Sequence, residues 1–472
     1  SFFVFNDTAT TEIYTLSLHA ALPILIVVVS ATIFLSYFGI ETDKFDSLIK
    51  SKANEVNRYV KLGFHKTKIH INPTEFNLVV KLQNPKILVK KNEIILSKLD
   101  LFLSLKSFFS SDFLLKKAEI AFVKNDIKDL TKITSIFLPN IVNKKLNKVF
   151  HKGNLEGEFI IPFESDGSIG KDYGFSGKVS DASINLTKEF SIKQLTTEIK
   201  HVKVADVDEF KITIEKGSIY NLELAGSTIN LKRKRNETKV KSLLKTKGKL
   251  NFSQIKKIAT LFALNTSNLK DVNGTVDLKT NINFDLSKQF KIGNLSYSIE
   301  GDIAYLEIHT EERRIIKEYL PEFDPKIILK DANIKLINSK SNNTTELNGF
   351  IKVKDYFNNF KIKEIYNYNE KSFDINGIID LTNSKVKVSR LNYNKDYGKK
   401  SEINFDVNFV LDKYFNINNL NFLADKTKIH LSNIKLNKNF EVKDFKKLEI
   451  KTYENEIKNN DFLVKKSEKV TM

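Results

Sequence analysis

The chain has no cysteine and no tryptophan, and its 472 residues include only 7 prolines and 17 glycines. Without cysteine, a disulfide scaffold, a cysteine-ligated zinc site and thiol catalysis are excluded. The low proline and glycine content argues against long disordered linkers. The length allows either several ordinary domains or one elongated domain.

Recognisable catalytic and phosphate-binding motifs are also missing. The sequence contains no HExxH, GxxxxGK[ST] or GxGxxG pattern. Gly174–Gly177 falls short of the GxSxG nucleophile elbow, and no helical pattern follows it. His65 and His70 lie five residues apart on a strand pattern, which places them on opposite faces. The sequence therefore predicts a protein that is not an enzyme and holds no metal or cofactor.

The net charge of +19 comes mainly from lysines that alternate with apolar residues, as in Ile351-Lys352-Val353. Lysines in such positions are typical of the solvated face of a sheet. The one dense basic cluster, Lys232–Arg235, ends a predicted strand, which indicates an exposed hairpin tip. The aromatic residues lie mostly on the apolar side of the strands. This distribution disfavours a nucleic-acid partner.

One apolar segment dominates the chain. Leu22–Ile40 contains no charged residue, and about 20 apolar residues are enough for a helix to cross a bilayer. The segment predicts a single transmembrane anchor with everything after Ile40 on one side of the membrane. Residues 1–24 resemble the translation of a sequencing adapter and lack the basic start of a signal peptide, so we expect them to have no role in function.

After the anchor, residues 41–60 predict a linker helix, and from residue 61 onward apolar and polar residues alternate. Such alternation predicts long antiparallel strands with one apolar face. Two strands show it most clearly, and their apolar faces carry Val276, Leu278, Ile282, Phe284 and Leu286 in one, and Ile403, Phe405, Val407, Phe409 and Leu411 in the other.

Two helices are predicted to cover sheet surface. The first is Asp126–Phe150, which Pro139 would kink or divide, and the second is Ser253–Leu264, with Ser253 as its N-cap. Asn-Gly pairs precede several strands, and this dipeptide suits tight hairpin turns. The pairs are Asn273-Gly274, Asn348-Gly349 and Asn376-Gly377.

The order of anchor, short helix and long amphipathic strands resembles the AsmA-like family. The local similarity lies in Phe45–Ile49, in Leu62–Phe64, in the strand Lys68–Ile71 and in the strand, Asn-Pro, strand sequence of Phe76–Ile87. The resemblance extends over Leu25–Met472. It departs from the family at Phe64-His65, where a small or basic polar residue is expected, and at the abrupt end after Met472.

The resemblance implies a mainly β fold. A transmembrane helix would be followed by an elongated, curled antiparallel sheet that forms an open groove, with a few covering helices. Residues 61–150 would be an N-terminal AsmA-like β/α region and residues 151–472 an elongated β-groove region, truncated at its C-terminus. Roughly 25–30 strands at about 4.8 Å each would extend over more than 100 Å.

The implied function is lipid transfer or outer-membrane maintenance. The protein would sit in the inner membrane by a single pass, with the bulk of its chain in the periplasm, and would carry phospholipid acyl chains along the groove. The ten apolar residues of the two clearest strands are its groove candidates, and outer-membrane or periplasmic proteins are possible further partners. Two alternatives remain open: a membrane-anchored scaffold for outer-membrane protein assembly, and a basic β-protein that binds polyanions.

Overall fold

The computed structural model describes residues 25–56, 60–89, 92–109, 114–134, 148–185, 190–235, 237–261, 271–287, 291–309, 314–454 and 457–466. The protein is mainly β and contains a large antiparallel sheet, as the alternating sequence predicts. It folds into two compact units. Unit 1 takes in the chain up to Asn185 and Thr196–Lys211, and unit 2 comprises Leu186–Leu195 and Ile212–Met472.

The first described helix, α1, spans residues 25–37, and Leu22–Ile24 and the adapter-like segment lie outside the described residues. The helix ends three residues before Ile40, the predicted end of the apolar span. Gly39 has a φ of +65°, and Ile40 begins strand β1 (Ile40–Thr42). In the described part of the chain, no helix combines the length and the apolar character needed to cross a membrane.

The predicted linker helix over 41–60 is shorter in the structure, where α2 spans Asp46–Val56. Glu41 and Thr42 belong instead to β1, because they pair with Lys68 and Thr67 of the neighbouring strand. At the other end, Val60 begins strand β2.

The strands of unit 1 form antiparallel neighbours along most of its sequence. They are β1 (Ile40–Thr42), β2 (Val60–Gly63), β3 (Thr67–Asn72), β4 (Asn77–Leu82), β5 (Lys86–Val89), β6 (Asn92–Ser104), β7 (Leu115–Asp126), β8 (Phe150–Pro162) and β9 (Gly174–Asn185). Strands β10 (Ser191–Val204) and β11 (Val207–Ile219) contribute residues to both units. The predicted regional boundary at residue 150 falls at the start of β8.

Unit 1 has a dry core between α2 and the face of β3, β4, β6 and β7. Val80 and Leu103 are both 0% exposed, and Phe45 and Ile49 of the α2 segment pack in the same cluster. Thr67 of β3, also fully buried, donates a hydrogen bond to Asp46 at the start of α2. Helix and sheet are therefore joined by both apolar packing and a partly buried hydrogen bond.

Two short helices accompany unit 1. Helix α3 is Lys106–Phe109, and α4 is Ile127–Thr134. The start of α4 agrees with the predicted helix over Asp126–Phe150, since the Asp126 carboxylate accepts a hydrogen bond from the Lys128 amide at 2.7 Å. Pro139 lies outside the described residues, and Phe150 is wrong as a helix end because it begins β8 and pairs with Ile184 of β9.

Unit 2 continues the strand succession. Its strands are β12 (Leu222–Glu223), β13 (Ser227–Lys234), β14 (Glu237–Asn251), β15 (Asp271–Leu286), β16 (Ile292–His309), β17 (Lys326–Asn338), β18 (Asn342–Val353), β19 (Tyr356–Asn367), β20 (Ser372–Asp380), β21 (Val386–Val388), β22 (Tyr393–Lys395), β23 (Ser401–Val410), β24 (Tyr414–Ala424), β25 (Thr427–Asn437), β26 (Val442–Asp444), β27 (Lys447–Glu454) and β28 (Ile457–Lys465).

From β14 to β20, each strand pairs with the next along the chain, and the series continues through β23, β24, β25, β27 and β28. The three long connections, at residues 252–270, 310–325 and 381–400, leave from the same ends of these strands, which we call the long-connection edge. Short hairpins such as β17–β18, β19–β20 and β23–β24 form the opposite, short-hairpin edge.

Two helices lie in these long connections: α5 (Phe252–Leu261) and α6 (Arg314–Tyr319). The predicted N-cap Ser253 is wrong. Instead, Asn251 and Gln254 form a reciprocal capping box, with each side-chain oxygen accepting the other residue's backbone N–H at 3.0 Å. Asn251 is also the last residue of β14, so the strand passes directly into the helix.

The Asn-Gly pairs do not mark turns. Asn273-Gly274, Asn348-Gly349 and Asn376-Gly377 lie within β15, β18 and β20 and pair with residues of neighbouring strands. The reason is steric. A Cβ at Gly349 would lie 2.6 Å from the Cα of Ala332, and one at Gly377 would lie 2.8 Å from the Phe405 ring. These glycines allow close approach between strands and are not hairpin residues.

Candidate functional site

The register of unit 2 places its alternating apolar residues on one face of the sheet, which we call the apolar face. Residues that pair directly across neighbouring strands share a face, so each row of pairs can be followed from strand to strand. The central row from β15 to β27 consists of Leu278, Gly301, Ile334, Leu347, Ile362, Gly377, Phe405, Leu420, Leu431 and Leu448.

Eight of the ten sequence-predicted residues belong to this face in the middle of their strands. Val276, Leu278, Ile282 and Phe284 lie on β15, and Ile403, Phe405, Val407 and Phe409 lie on β23. Although the two strands are far apart in sequence, the register joins them. Leu278 of β15, for example, is connected to Phe405 of β23 through an unbroken series of pairs in the central row.

The remaining two candidates lie at strand ends. Leu286 is the last residue of β15 and pairs with Thr238 and Ile292 on the same face. Leu411 is wrong as a face residue, because β23 ends at Val410 and Leu411 lies in the turn that follows, 66% exposed. The alternation in the sequence continues past Val410, so the pattern alone does not show where the strand ends.

The apolar face is only partly covered. Val276 and Ile282 are buried, whereas Leu278, Phe405 and Leu420, which lie in the central row of the sheet, are of intermediate exposure. At about 4.8 Å between neighbouring strands, the run from β14 to β28 presents this surface over about 50 Å.

The face is sealed along the long-connection edge of β23–β27. There the β21–β22 hairpin lies in one buried cluster with the sheet, with the Tyr393 and Phe422 ring centroids 6.1 Å apart. Inside the connection, the Lys395 ammonium is 2% exposed and donates hydrogen bonds to the backbone oxygens of Leu381, Thr382, Ser384 and Asp396. Burial lowers the Lys395 pKa to about 8. This lysine therefore has a structural role: it holds together the connection at residues 381–400, which we call the cap.

An aromatic row crosses the apolar face nearer the short-hairpin edge. The ring centroids of Tyr366 and Phe373 are 4.6 Å apart, those of Phe373 and Phe409 are 4.9 Å apart, and those of Phe409 and Phe415 are 5.6 Å apart. These four rings belong to successive strands β19, β20, β23 and β24. Offset or tilted ring contacts of this kind stabilise cross-strand pairing and present a continuous hydrocarbon surface.

The opposite face of unit 2 is polar. Lys363 pairs with Glu346 at 2.9 Å and Lys247 with Asp277 at 3.0 Å. Glu307 accepts hydrogen bonds from Tyr305 at 2.6 Å and Lys326 at 2.9 Å, and these donors lower its pKa to about 2. Lysines and carboxylates in such numbers are consistent with a solvated surface, so the two faces of the sheet differ sharply in polarity.

Among the described residues of β14 to β28, one charged residue interrupts the apolar face. Glu364 of β19 lies between Ile362 and Tyr366 on that face and pairs with Thr345 of β18 and Ile375 of β20. Burial raises the pKa of its carboxyl group. Sequence reasoning missed this residue. The signal was a single glutamate on the apolar side of the alternating stretch Phe360–Tyr366.

The basic cluster lies where the sequence predicts it. Lys232–Arg235 are exposed, and Lys234 pairs with Glu237 at the end of the β13–β14 hairpin. Within the described residues, no group of three or more histidine or acidic side chains is arranged to hold a metal ion. Comparison of the chain with protein-family models, with curated proteins and with solved structures found no match.

Proposed function

We propose that this chain is a membrane-tethered lipid-transfer protein whose apolar face in unit 2 holds phospholipid acyl chains. The observation that carries the proposal is the continuous row from Leu278 to Leu448, in which every residue except the buried Gly377 is partly exposed. An apolar surface of this extent marks a binding site for another apolar molecule. An open groove along this face, as in the AsmA-like family, would suit an acyl chain.

The energetics favour binding together with movement. Each buried CH₂ group of an acyl chain contributes about 0.8 kcal/mol, so two chains are strongly retained on such a surface. The rows of the apolar face repeat similar leucine, isoleucine and phenylalanine contacts from strand to strand. A chain that moves from one strand to the next exchanges like contacts for like contacts, and each step therefore costs little.

Tethering is part of the same proposal. The charge-free segment Leu22–Ile40 is its sequence support, and Leu25, Ile26 and Phe34 of α1 are each more than half exposed at 57%, 57% and 53%. Side chains of this kind suit a lipid environment. We propose that the segment holds the protein in an inner membrane, with the rest of the chain in the periplasm, where phospholipid would pass toward the outer membrane. No catalytic step is required.

Photo-crosslinking at two adjacent residues tests the proposal. Benzoylphenylalanine replaces Val407, on the apolar face, or Asp406, on the polar face, in the full chain expressed in membranes. Irradiation should attach phospholipid to the protein carrying the probe at 407, as detected by mass spectrometry, and to the 406 control at less than about a tenth of that yield. Equal yields at both positions, or no lipid at either in folded protein, would contradict the proposal.

A scaffold role has one observation in its favour. Among the described residues, β28 pairs only with β27, and it exposes Phe462, Leu463 and Val464 on both faces. An exposed strand of this kind can accept a strand from another protein. A photo-crosslinker at Leu463 distinguishes the two roles, because a scaffold predicts protein adducts there and no lipid adducts at 407.

A further inference from the structure

A polar patch lies within the apolar face near the short-hairpin edge. It consists of Asn338 of β17, Asn343 and Thr345 of β18, and Glu364 and Tyr366 of β19. Asn343 pairs with Asn338 on one side and Tyr366 on the other, and Thr345 pairs with Glu364. The five residues are therefore neighbours on three adjacent strands.

Glu364 has no compensating partner in this patch. The apolar-face positions of β18 and β20 carry no charged residue, and in the described structure no hydrogen bond or ion pair reaches the Glu364 carboxyl group. Of the neighbouring side chains on its face, only that of Tyr366 can titrate. Burial is the sole cause that raises the Glu364 pKa. An ionised carboxylate here is destabilised until a donor arrives.

A second acceptor nearby also lacks a donor. The Oδ1 atom of Asn343 is shielded from solvent and has no hydrogen-bond partner among the described residues. Asn338 instead uses its Nδ2 to donate to the Tyr368 hydroxyl at 2.5 Å. Two acceptors without a donor among the described residues, one of them ionisable, thus lie one residue pair apart on adjacent strands of the apolar face.

We propose that this polar patch binds the primary ammonium group of an aminophospholipid headgroup, with the acyl chains lying on the neighbouring apolar rows. An ammonium group supplies three N–H donors and a positive charge, which match the Glu364 carboxylate and the Asn343 amide oxygen. This inference rests on the proposed function, since it specifies the headgroup of the lipid that the apolar face would carry.

Charge complementarity selects the ammonium group over an anionic headgroup. The nearest lysines along the strand, Lys361 and Lys363, lie on the opposite, polar face. A phosphoglycerol headgroup placed at Glu364 would bring a second negative charge without any cation. A trimethylammonium headgroup brings positive charge but no N–H donor, so it would satisfy the charge of the carboxylate without its hydrogen bonds.

Competition between lipids tests the proposal. The full chain is incubated with vesicles that contain equal amounts of phosphatidylethanolamine, phosphatidylcholine and phosphatidylglycerol with identical acyl chains. It is then re-isolated, and bound lipid is measured by mass spectrometry. Phosphatidylethanolamine should be enriched about fivefold over each of the others, which corresponds to roughly 1 kcal/mol. This measurement does not depend on any variant.

Glu364→Gln provides the matched variant, because glutamine keeps the shape of the side chain and removes its charge. The enrichment should fall to about onefold, while total bound lipid stays unchanged. Glu346→Gln is the control, since Glu346 lies one residue pair away on β18 but on the polar face, where it pairs with Lys363. The control should retain the wild-type enrichment.

The pH dependence of lipid binding provides an independent test. Binding of phosphatidylethanolamine should strengthen as the pH rises through the Glu364 pKa, because only the carboxylate pairs with the ammonium group. Binding of an uncharged fatty-acid methyl ester should weaken over the same range, because covering the carboxylate costs desolvation. Both trends should vanish in Glu364→Gln.

The outcomes separate this inference from the proposed function. If lipid binds without headgroup preference, or if Glu364→Gln keeps the preference, the ammonium site is refuted and the acyl-binding face is unaffected. If wild-type protein binds none of the three lipids and no methyl ester, both the site and the lipid-transfer function are refuted.

Discussion

The same alternating sequence pattern produces a sealed core in unit 1 and a half-exposed face in unit 2. Val80 and Leu103 of unit 1 are fully buried, whereas Leu420 of unit 2, which also lies in mid-strand, remains partly accessible. The difference does not lie in the strands themselves. In unit 1, α2 brings Phe45 and Ile49 onto the sheet, while in unit 2 the β21–β22 hairpin with Tyr393 covers the long-connection edge of β23–β27.

The comparison indicates that the two units are stabilised differently. Unit 1 combines helix–sheet packing with the partly buried hydrogen bond between Thr67 and Asp46. The middle of unit 2 depends more on its backbone ladder and on the close approach of strands at glycines. We therefore expect unit 1 to be most sensitive to lost side-chain volume, and unit 2 to be most sensitive to side chains added where its strands meet.

The largest effect is expected for Gly301→Ala in unit 2. Gly301 has a φ of +150°, and a Cβ there would lie 2.2 Å from the backbone oxygen of Asp277. The strained backbone and the displaced strand should together cost about 3 kcal/mol. Hydrogen exchange of peptides covering β15–β17 measures the loss. Gly293→Ala in the same strand is the control, because a Cβ there meets nothing within 4 Å. Equal losses would show that backbone approach is not what limits unit 2.

A leucine pair compares the two units directly. Leu103→Ala should destabilise unit 1 by about 3 kcal/mol, since it leaves a cavity in a core where Leu103 is 0% exposed. Leu420→Ala should cost unit 2 about 1 kcal/mol, because water already reaches part of this side chain. Local opening free energies from hydrogen exchange provide both values. A loss at Leu420 as large as that at Leu103 would mean that the apolar face is sealed.

Two threonine substitutions compare the loss of a hydrogen bond in unit 1 with a change on the apolar face of unit 2. Thr67→Val should destabilise unit 1 by about 1–2 kcal/mol, because the Asp46 carboxylate loses its buried donor. Thr280→Val on the apolar face should change the stability of unit 2 by less than about 0.5 kcal/mol. Urea titration followed by hydrogen exchange in each unit measures the two changes. If Thr67→Val left the stability of unit 1 unchanged, the hydrogen bond to Asp46 would not contribute to that stability.

The smallest effect concerns the polar face of unit 2 in acid. Hydrogen bonds from Lys447 and Lys428 lower the Glu449 pKa to about 2, from an ordinary value of 4.5. A depressed pKa stabilises the folded state above pH 4.5, and this contribution is lost as the pH falls toward 2. Glu449→Gln should therefore lower Tm by about 1–2 °C at pH 7 and leave it unchanged near pH 2. A difference that persisted in acid would show that charge is not its cause.

Much of unit 2 was predictable from local pattern. The alternation correctly grouped Val276 with Leu278 and Phe405 with Val407, because successive side chains of a strand point to opposite faces whatever the rest of the fold does. The exposed hairpin tip at Lys232–Arg235 followed from the same reasoning. Predictions that depended on where an element stops were less accurate, as Ile40, Phe150 and Leu411 show.

The long-range features came only with the tertiary structure. The Asn-Gly pairs suit a turn locally, yet neighbouring backbones make Gly349 and Gly377 sites of close strand approach. Glu364 is an ordinary surface residue by type, and only the register places it beside Thr345, Ile375 and the unsatisfied Asn343 oxygen. Such neighbours come from strands distant in sequence, and no local period specifies them.

The sequence by itself determined that the chain forms long strands with one apolar and one polar side, since a period of two is a property of the extended backbone. The tertiary structure decided which of those apolar sides is covered. Cover depends on whether a helix such as α2 or a hairpin such as β21–β22 packs on the sheet at a given point. That outcome is a matter of chain connection and packing between elements, so identical alternation ends as a dry core in unit 1 and as a face with both buried and accessible stretches in unit 2.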